Sequence, residues 1–262
     1  MSVLPRGTAA VTAEWPDLVA ELDRWGETGQ VASLWWRDDD AVAPTPELTA
    51  LLQVAGAAPV ALAVIPAEAS RELPGFLDNA PQVAVLQHGW RHTNHAAAGA
   101  KRSEFPARRA EATVVDELAE GRERLKTLFG PRALPVLVPP WNRFAAEFVP
   151  LLTKTGIRGL SSMASRQAAA LPPNIASMDV HLDLVAWKDG RRFIGTAAAL
   201  TGLIGHLQAR RLGQAIRGTV TGILTHHLVM DRAGAGFLDR LAATVERHAA
   251  ARWANTAELL AA

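Results

Sequence analysis

Short apolar runs alternate along this chain with longer stretches of helical period. Seven runs, at residues 31–36, 60–65, 83–86, 134–138, 157–160, 180–184 and 220–225, are candidate strands. Helical patterns lie between and after them. Residues 46–54 read as a helix with Thr45 as N-cap and Pro46 in the first turn. Ser103 and Glu104 ahead of Pro106 predict a second helix start, with Val114, Leu118, Leu125 and Leu128 near one face and Gly130-Pro131 as the stop. Residues 237–248 place Leu238, Leu241 and Val245 on one stripe. Strand–helix alternation of this kind predicts an α/β fold with a parallel sheet, open or closed. About seven units favour a barrel, with an open doubly wound sheet as the alternative. No linker or repeat divides the chain, so residues 1–262 are expected to form one domain.

Composition narrows the function. The apolar fraction of 49% supports a large core, and the charged fraction of 20% excludes global disorder. The formal net charge of +1, with no Lys/Arg run longer than two, predicts neither a nucleic-acid partner nor an anionic membrane surface. With no cysteine, disulfides and thiolate sites are excluded, and any metal must use His, Asp or Glu. Glu14 and Asp17 interrupt the N-terminal segment, which lacks a signal-peptide pattern, and no apolar run approaches the roughly 20 residues of a membrane span. A cytoplasmic location is the expectation. Composition does not address the oligomeric state.

The polar residues are placed informatively. Run 31–36 leads into Arg37-Asp38-Asp39-Asp40, and run 83–86 into Gln87-His88 and onward through His92, Asn94 and His95. Run 134–138 leads into Pro139-Pro140-Trp141-Asn142-Arg143, and run 220–225 into His226-His227. Each cluster alone has an ordinary structural explanation: a carboxylate-rich helix start, exposed histidines, a proline stop to a strand. Four of them at the C-terminal ends of strands mark the edge where α/β proteins build their sites.

The residue types point to a metal. Neutral imidazoles and a carboxylate suit zinc and similar borderline ions. The four-residue spacing predicts that His88 and His92 share one side of a helical turn. One aspartate of Asp38-Asp39-Asp40 with these two histidines leaves a coordination position for water, the pattern of a catalytic site. A second aspartate beside the ligand can accept that water's proton. His95 and Asn94 are expected to hold a ligating ring nitrogen from behind, and His206 and His248 to be helix-surface residues.

These clusters resemble the polysaccharide deacetylases, the carbohydrate esterases of NodB-homology type. The resemblance runs from Trp35 to Asp231. It implies an irregular (β/α) barrel of about seven strands and metal-dependent removal of an N- or O-linked acetyl group from a small-molecule or oligosaccharide substrate. It further implies Asp39 as general base and Asp40, His88 and His92 as ligands of a divalent ion. Zinc comes first among such ions, with Co2+, Ni2+, Fe2+ and Mn2+ as the other candidates. The groove wall matches Pro139, Pro140 and Trp141. The acidic residue and tryptophan of the next motif match Asp183 in His181-Leu182-Asp183, with Trp187; the acid histidine matches His226, with His227 as rival. Asp38-Asp39 is the other register for the aspartate pair. Trp141 and Trp187 would wall a slot for the acetyl methyl, and Asp183 would orient the acid histidine. The family's third motif usually opens with an arginine that orients the base; Val138 stands there, leaving Arg37 or Arg143 to substitute. A metal-dependent amidase or deformylase on a non-carbohydrate substrate, and a catalytically silent metal-binding domain, are the rival functions.

Overall fold

The computed structural model describes residues 12–164, 171–215 and 220–261. Its strands are β1 (Ala32–Ala41), β2 (Val60–Val64), β3 (Val83–His88), β4 (Ala133–Val138), β5 (Gly159–Leu160), β6 (Ala176–Ser177), β7 (Leu182–Asp183), β8 (Val185–Ala186), β9 (Arg192–Phe193), β10 (Thr221–Thr225) and β11 (Ala251–Trp253). The helices are α1 (Trp15–Glu27), α2 (Pro46–Ala55), α3 (Leu73–Leu77), α4 (Glu111–Phe129), α5 (Thr196–Arg211), α6 (Arg232–Arg247) and α7 (Thr256–Ala261).

All seven expected runs contribute to one parallel sheet. Its order is β6-β5-β4-β3-β2-β1-β10-β7, with β11 added alongside the start of β1. The path closes because β6 and β7 belong to one continuous segment. Its first part bonds to the β5 side, through Met178 N–H to the Leu160 carbonyl and Val180 N–H to that of Ser162. Its second part bonds to β10, through His181 N–H to the Gly222 carbonyl and Leu184 N–H to that of Leu224. Gly222 permits this switch, since a Cβ there would lie 2.4 Å from the Asp179 carbonyl oxygen. The architecture is an irregular (β/α) barrel, not the open doubly wound alternative. The antiparallel pair β8–β9 forms a separate two-stranded sheet.

Strand periodicity sorts side chains into two cores. Leu34, Trp36, Leu62, Val64, Val85 and Ile223 pack outward with the helices. Trp35, Ala61, Ala63, Leu86, Val136, Val138 and Leu224 fill the barrel, where small alanines on β2 accommodate the Trp35 indole. Leu259 and Leu260 of α7 pack against this inner cluster. Continued two residues onward, the inward series places Arg37 and Asp39 of β1, His88 of β3 and His226 beyond β10 around the C-terminal mouth.

The helices show where local signals suffice. Thr45 caps α2 by accepting the Leu48 N–H at 3.0 Å. Helix α6 starts before the expected residue 237, because Asp231 caps it by accepting the Gly234 N–H at 2.8 Å. The start expected near Ser103–Pro106 is displaced: α4 begins at Glu111. Residues 103–105 are buried and occupied elsewhere, Glu104 by the loop after β3 and Phe105 by a bridge to Phe144.

Candidate active site

The aspartate cluster lies on β1 itself, which extends through Ala41 rather than ending at residue 36. Between Asp38 and Ala41 the register against β2 slips, Asp38 facing Leu62 while Ala41 faces Val64. This bulge re-aims the end of the strand. Asp40 takes φ 73, a left-handed conformation that aspartate tolerates better than most residues. The three carboxylates consequently diverge. Asp38 points to the helix layer, Asp39 into the barrel, and Asp40 to the mouth.

Asp40 Oδ1 lies 3.0 Å from His88 Nε2 and 3.3 Å from His92 Nε2. Asp40, His88 and His92 each offer one ligand atom, all within 4.8 Å of one another. His88 Nδ1 faces the Val138 carbonyl at 3.0 Å, which leaves Nε2 directed at the cluster. Burial would raise the Asp40 pKa, but the hydrogen bond with His88 and the charges of His88, His226 and His92 hold it well below the usual carboxylate range. Burial disfavours charge on His88, yet Asp39 and Asp40 outweigh it and raise its pKa. Burial and the nearby His88 lower that of His92. An ionised carboxylate and two convergent imidazoles, one held from behind by a carbonyl, fit a divalent ion of zinc type.

The route to this triad is not the expected helical turn. His88 ends β3, and Gly89 (φ 60) and His92 (φ 56) turn the loop back in left-handed conformations. Neither Asn94 nor His95 lies behind a ligand ring. Asn94 is exposed and its Oδ1 accepts the Ala96 and Ser103 N–H groups, while His95 is exposed and bonds through its backbone to Ser103. The Val138 carbonyl occupies the position expected of them.

Arg37 answers the question posed by Val138. Its guanidinium, 0% exposed, sits inside the barrel with Nε 2.9 Å from Asp39 Oδ1 and Nη2 donating to Asp39 Oδ2 at 3.0 Å. Nη2 also donates to Asn142 Oδ1 and Nη1 to Ser161 Oγ, both at 2.6 Å. Asp39 is thus clamped by a residue two positions earlier on the same strand. Arg143 instead donates to the Arg102 carbonyl on the rim.

His226 Nε2 approaches Asp40 Oδ2 at 4.0 Å, and its buried Nδ1 has no hydrogen-bond partner among the described residues. Trp187 meets its ring edge-on at 4.7 Å. Asp183 does not orient His226 directly. Its oxygens accept the Val185 N–H at 2.9 Å and the Trp187 Nε1–H at 2.7 Å, so it anchors the tryptophan that packs on the histidine. Across the mouth, Trp141 (φ 56) lies 4.3 Å from the His92 ring, and Pro140 is buried beside Gly89. His227 turns the other way: its Nδ1 is 2.5 Å from Asp38 Oδ1, while Thr225 donates to Asp38 Oδ2 at 2.6 Å. Asp38 and His227, the two rivals, are therefore paired behind β1 and β10.

No family model and no curated protein matches the sequence. Solved structures do match its shape. A Mycobacterium smegmatis protein assigned as a polysaccharide deacetylase aligns with TM-score 0.66 at 18% identity, over 97% of this chain and 93% of that one. A family 4 acetyl xylan esterase from Clostridium thermocellum, in complex with a cobalt ion, aligns with TM-score 0.51 at 14% identity over 87% and 91%. A mutant of a family 4 pseudoenzyme with restored activity aligns with TM-score 0.54 at 14% identity over 88% and 67%. The fold is that of the polysaccharide deacetylases.

Within this deacetylase fold, one expected residue falls away from the mouth. His181 precedes β7 at the opposite end of the barrel, where its Nδ1 accepts the Gly222 N–H and its ring stacks on His206 at 3.6 Å. His206 is correspondingly half-buried, not a surface residue. Burial, aided by nearby positive groups, lowers the two pKa values to about 3 and about 4. Conversely, Asn142, Ser161 and Glu104 carry supporting roles that the sequence reading did not assign. Asn142 alone had a signal, its place in the Pro139–Arg143 cluster. No helix among the described residues is long and apolar enough to cross a membrane.

Proposed function

We propose that the protein is a metal-dependent hydrolase that removes an N- or O-linked acetyl group from a carbohydrate-type substrate. For an N-acetyl substrate this is hydrolysis of a carbon–nitrogen bond other than a peptide bond. One observation carries the reading: Asp39, locked in place by Arg37, stands beside an Asp-His-His triad with His226 on the triad's other side. The solved neighbours, among them an esterase of acetylated xylan holding cobalt, support the acyl chemistry and a divalent ion. Asp40, His88 and His92 would hold that ion, zinc by the chemistry of the donors. The ion supplies Lewis acidity toward water and an acyl oxygen when bound.

The chain's own residues do the rest. Asp39, fixed by two arms of the Arg37 guanidinium, takes the proton of the attacking water. His226 presents Nε2 to the mouth and gives a proton to the departing amine or alcohol, which leaves poorly as an anion. Trp141 and Trp187 wall the slot between them, Trp187 held by Asp183. Pro140 and Arg143 complete the rim toward a small molecule or oligosaccharide.

The test is acetate release from acetylated chito- and xylo-oligosaccharides by zinc-loaded protein, with metal content measured in parallel. Asp39→Asn should keep the metal and lose most turnover, and Asp40→Asn should lose both. Loss of metal in Asp39→Asn with retention in Asp40→Asn would overturn the assignment. Val138, at the family's arginine position, favours a second reading in which the domain binds metal but is catalytically silent. Zinc-loaded wild type that releases no acetate from any of these substrates would select that reading.

A further inference from the structure

We propose that Glu104 is a positioning residue for the metal loop: its buried carboxylate stands in for the missing secondary structure of the loop after His88 and so sets His92. The inference rests on the reading of Asp40, His88 and His92 as metal ligands.

Glu104 is 1% exposed, and burial of a carboxylate demands partners. Its partners are backbone N–H groups of one short segment. Oε2 accepts from Trp90 at 3.0 Å, and Oε1 from Arg91 at 2.7 Å and, at longer range, from Thr93 at 3.4 Å. His92 lies between these donors. The segment belongs to neither helix nor strand, and His92 itself holds the strained φ of 56. A left-handed non-glycine residue persists only where its surroundings over-determine it. Here an acceptor-only group satisfies the amides on both sides of the ligand.

The fit is close enough to exclude a side chain at residue 89. A Cβ on Gly89 would lie 1.9 Å from Glu104 Oε2 and 2.7 Å from Pro140. Glu104 is in turn held from outside the loop. Arg109 donates to its carbonyl at 3.0 Å and forms a two-pronged pair with Glu117 of α4, and the adjacent Phe105 bridges to Phe144. The carboxylate therefore transmits the position of α4 and of the loop after β4 to the ligand loop.

Zinc competition titrations and backbone hydrogen exchange on the full-length wild type, E104Q and H92A test this. Glutamine keeps the shape, but one of its ends is an N–H donor facing backbone donors. E104Q should exchange faster at residues 90–93 in the metal-free protein, with the rest of the chain unchanged. It should bind zinc about 10- to 100-fold more weakly, the usual effect of losing a group that orients a ligand. Wild-type exchange at 90–93 and wild-type zinc affinity in E104Q would overturn the proposal. If E104Q does not fold, E104D takes its place, since it keeps the charge but is one methylene too short to reach the same amides. Unchanged exchange at 90–93 and unchanged zinc affinity in E104D would equally overturn the proposal, and faster exchange there with weakened affinity supports it. Zinc binding that survives in H92A would instead overturn the metal reading, while the exchange at 90–93 still decides the role of Glu104.

Discussion

Replacing Arg37 by methionine isolates the clamp on Asp39. Both groups are buried, Arg37 at 0% and Asp39 at 2% exposure, so no water can take the place of the guanidinium. The substitution removes the ion pair to Asp39 and the donors to Asn142 and Ser161 while filling much of the same volume. Removing one partner of a buried pair costs about 3–5 kcal/mol, mostly because the other charge is left uncompensated. For a chain of this size each kcal/mol lowers the melting temperature by about 2–4 °C, so Arg37→Met should melt about 6–20 °C lower. The diagnostic assay is a double-mutant cycle by calorimetry with Asp39→Asn, which removes the stranded charge. Arg37→Met/Asp39→Asn should recover more than half of the loss. Additive losses in the double variant would refute the clamp as an electrostatic device and leave Arg37 as packing. Arg37→Lys adds a functional arm. A single ammonium cannot grip both oxygens of Asp39 while reaching Asn142 and Ser161, so turnover should fall by about 10² through misplacement of the base.

Two further outcomes follow from the rest of the site. His226→Ala should cut acetate release by at least about a hundredfold with metal content and melting temperature nearly intact. His227→Ala should mainly lower the melting temperature, because it strands the fully buried Asp38; equal, small effects of both on turnover would remove the acid assignment. At the other end of the barrel, His181 and His206 are held neutral, with pKa values of about 3 and about 4. In the unfolded chain they titrate near ~6.5, so the unfolded state takes up protons first as pH falls. Their contribution is complete above about pH 6.5 and is lost as pH drops toward their folded values, so stability should decline across that window. His181→Asn, whose side-chain oxygen can still accept the Gly222 N–H, should flatten the decline measured by thermal melts from pH 7 to 4; parallel curves for variant and wild type would refute it.

Local pattern determined a good deal of this protein. Short apolar runs mark seven stretches that all join the sheet, and Thr45 caps α2 as its chemistry dictates. Strand direction put four polar clusters at one edge, because parallel strands deliver their C-terminal ends to the same side. Helical spacing misled at His88 and His92. Four-residue separation also suits a loop with two left-handed residues, one of them Gly89, where Pro140 and Glu104 leave no room for a side chain. The divergence of Asp38, Asp39 and Asp40 depends on a bulge against β2 that three identical residues cannot announce. The partners of those carboxylates are equally remote from local reading. Arg37 meets Asn142 and Ser161 from 105 and 124 residues away, and Asp38 meets His227 from 189 away. Sequence by itself determined that polar clusters follow the C-terminal ends of several strands. Tertiary structure decided which are clamped, which converge and which turn to the back, because those choices depend on contacts made only when the sheet closes.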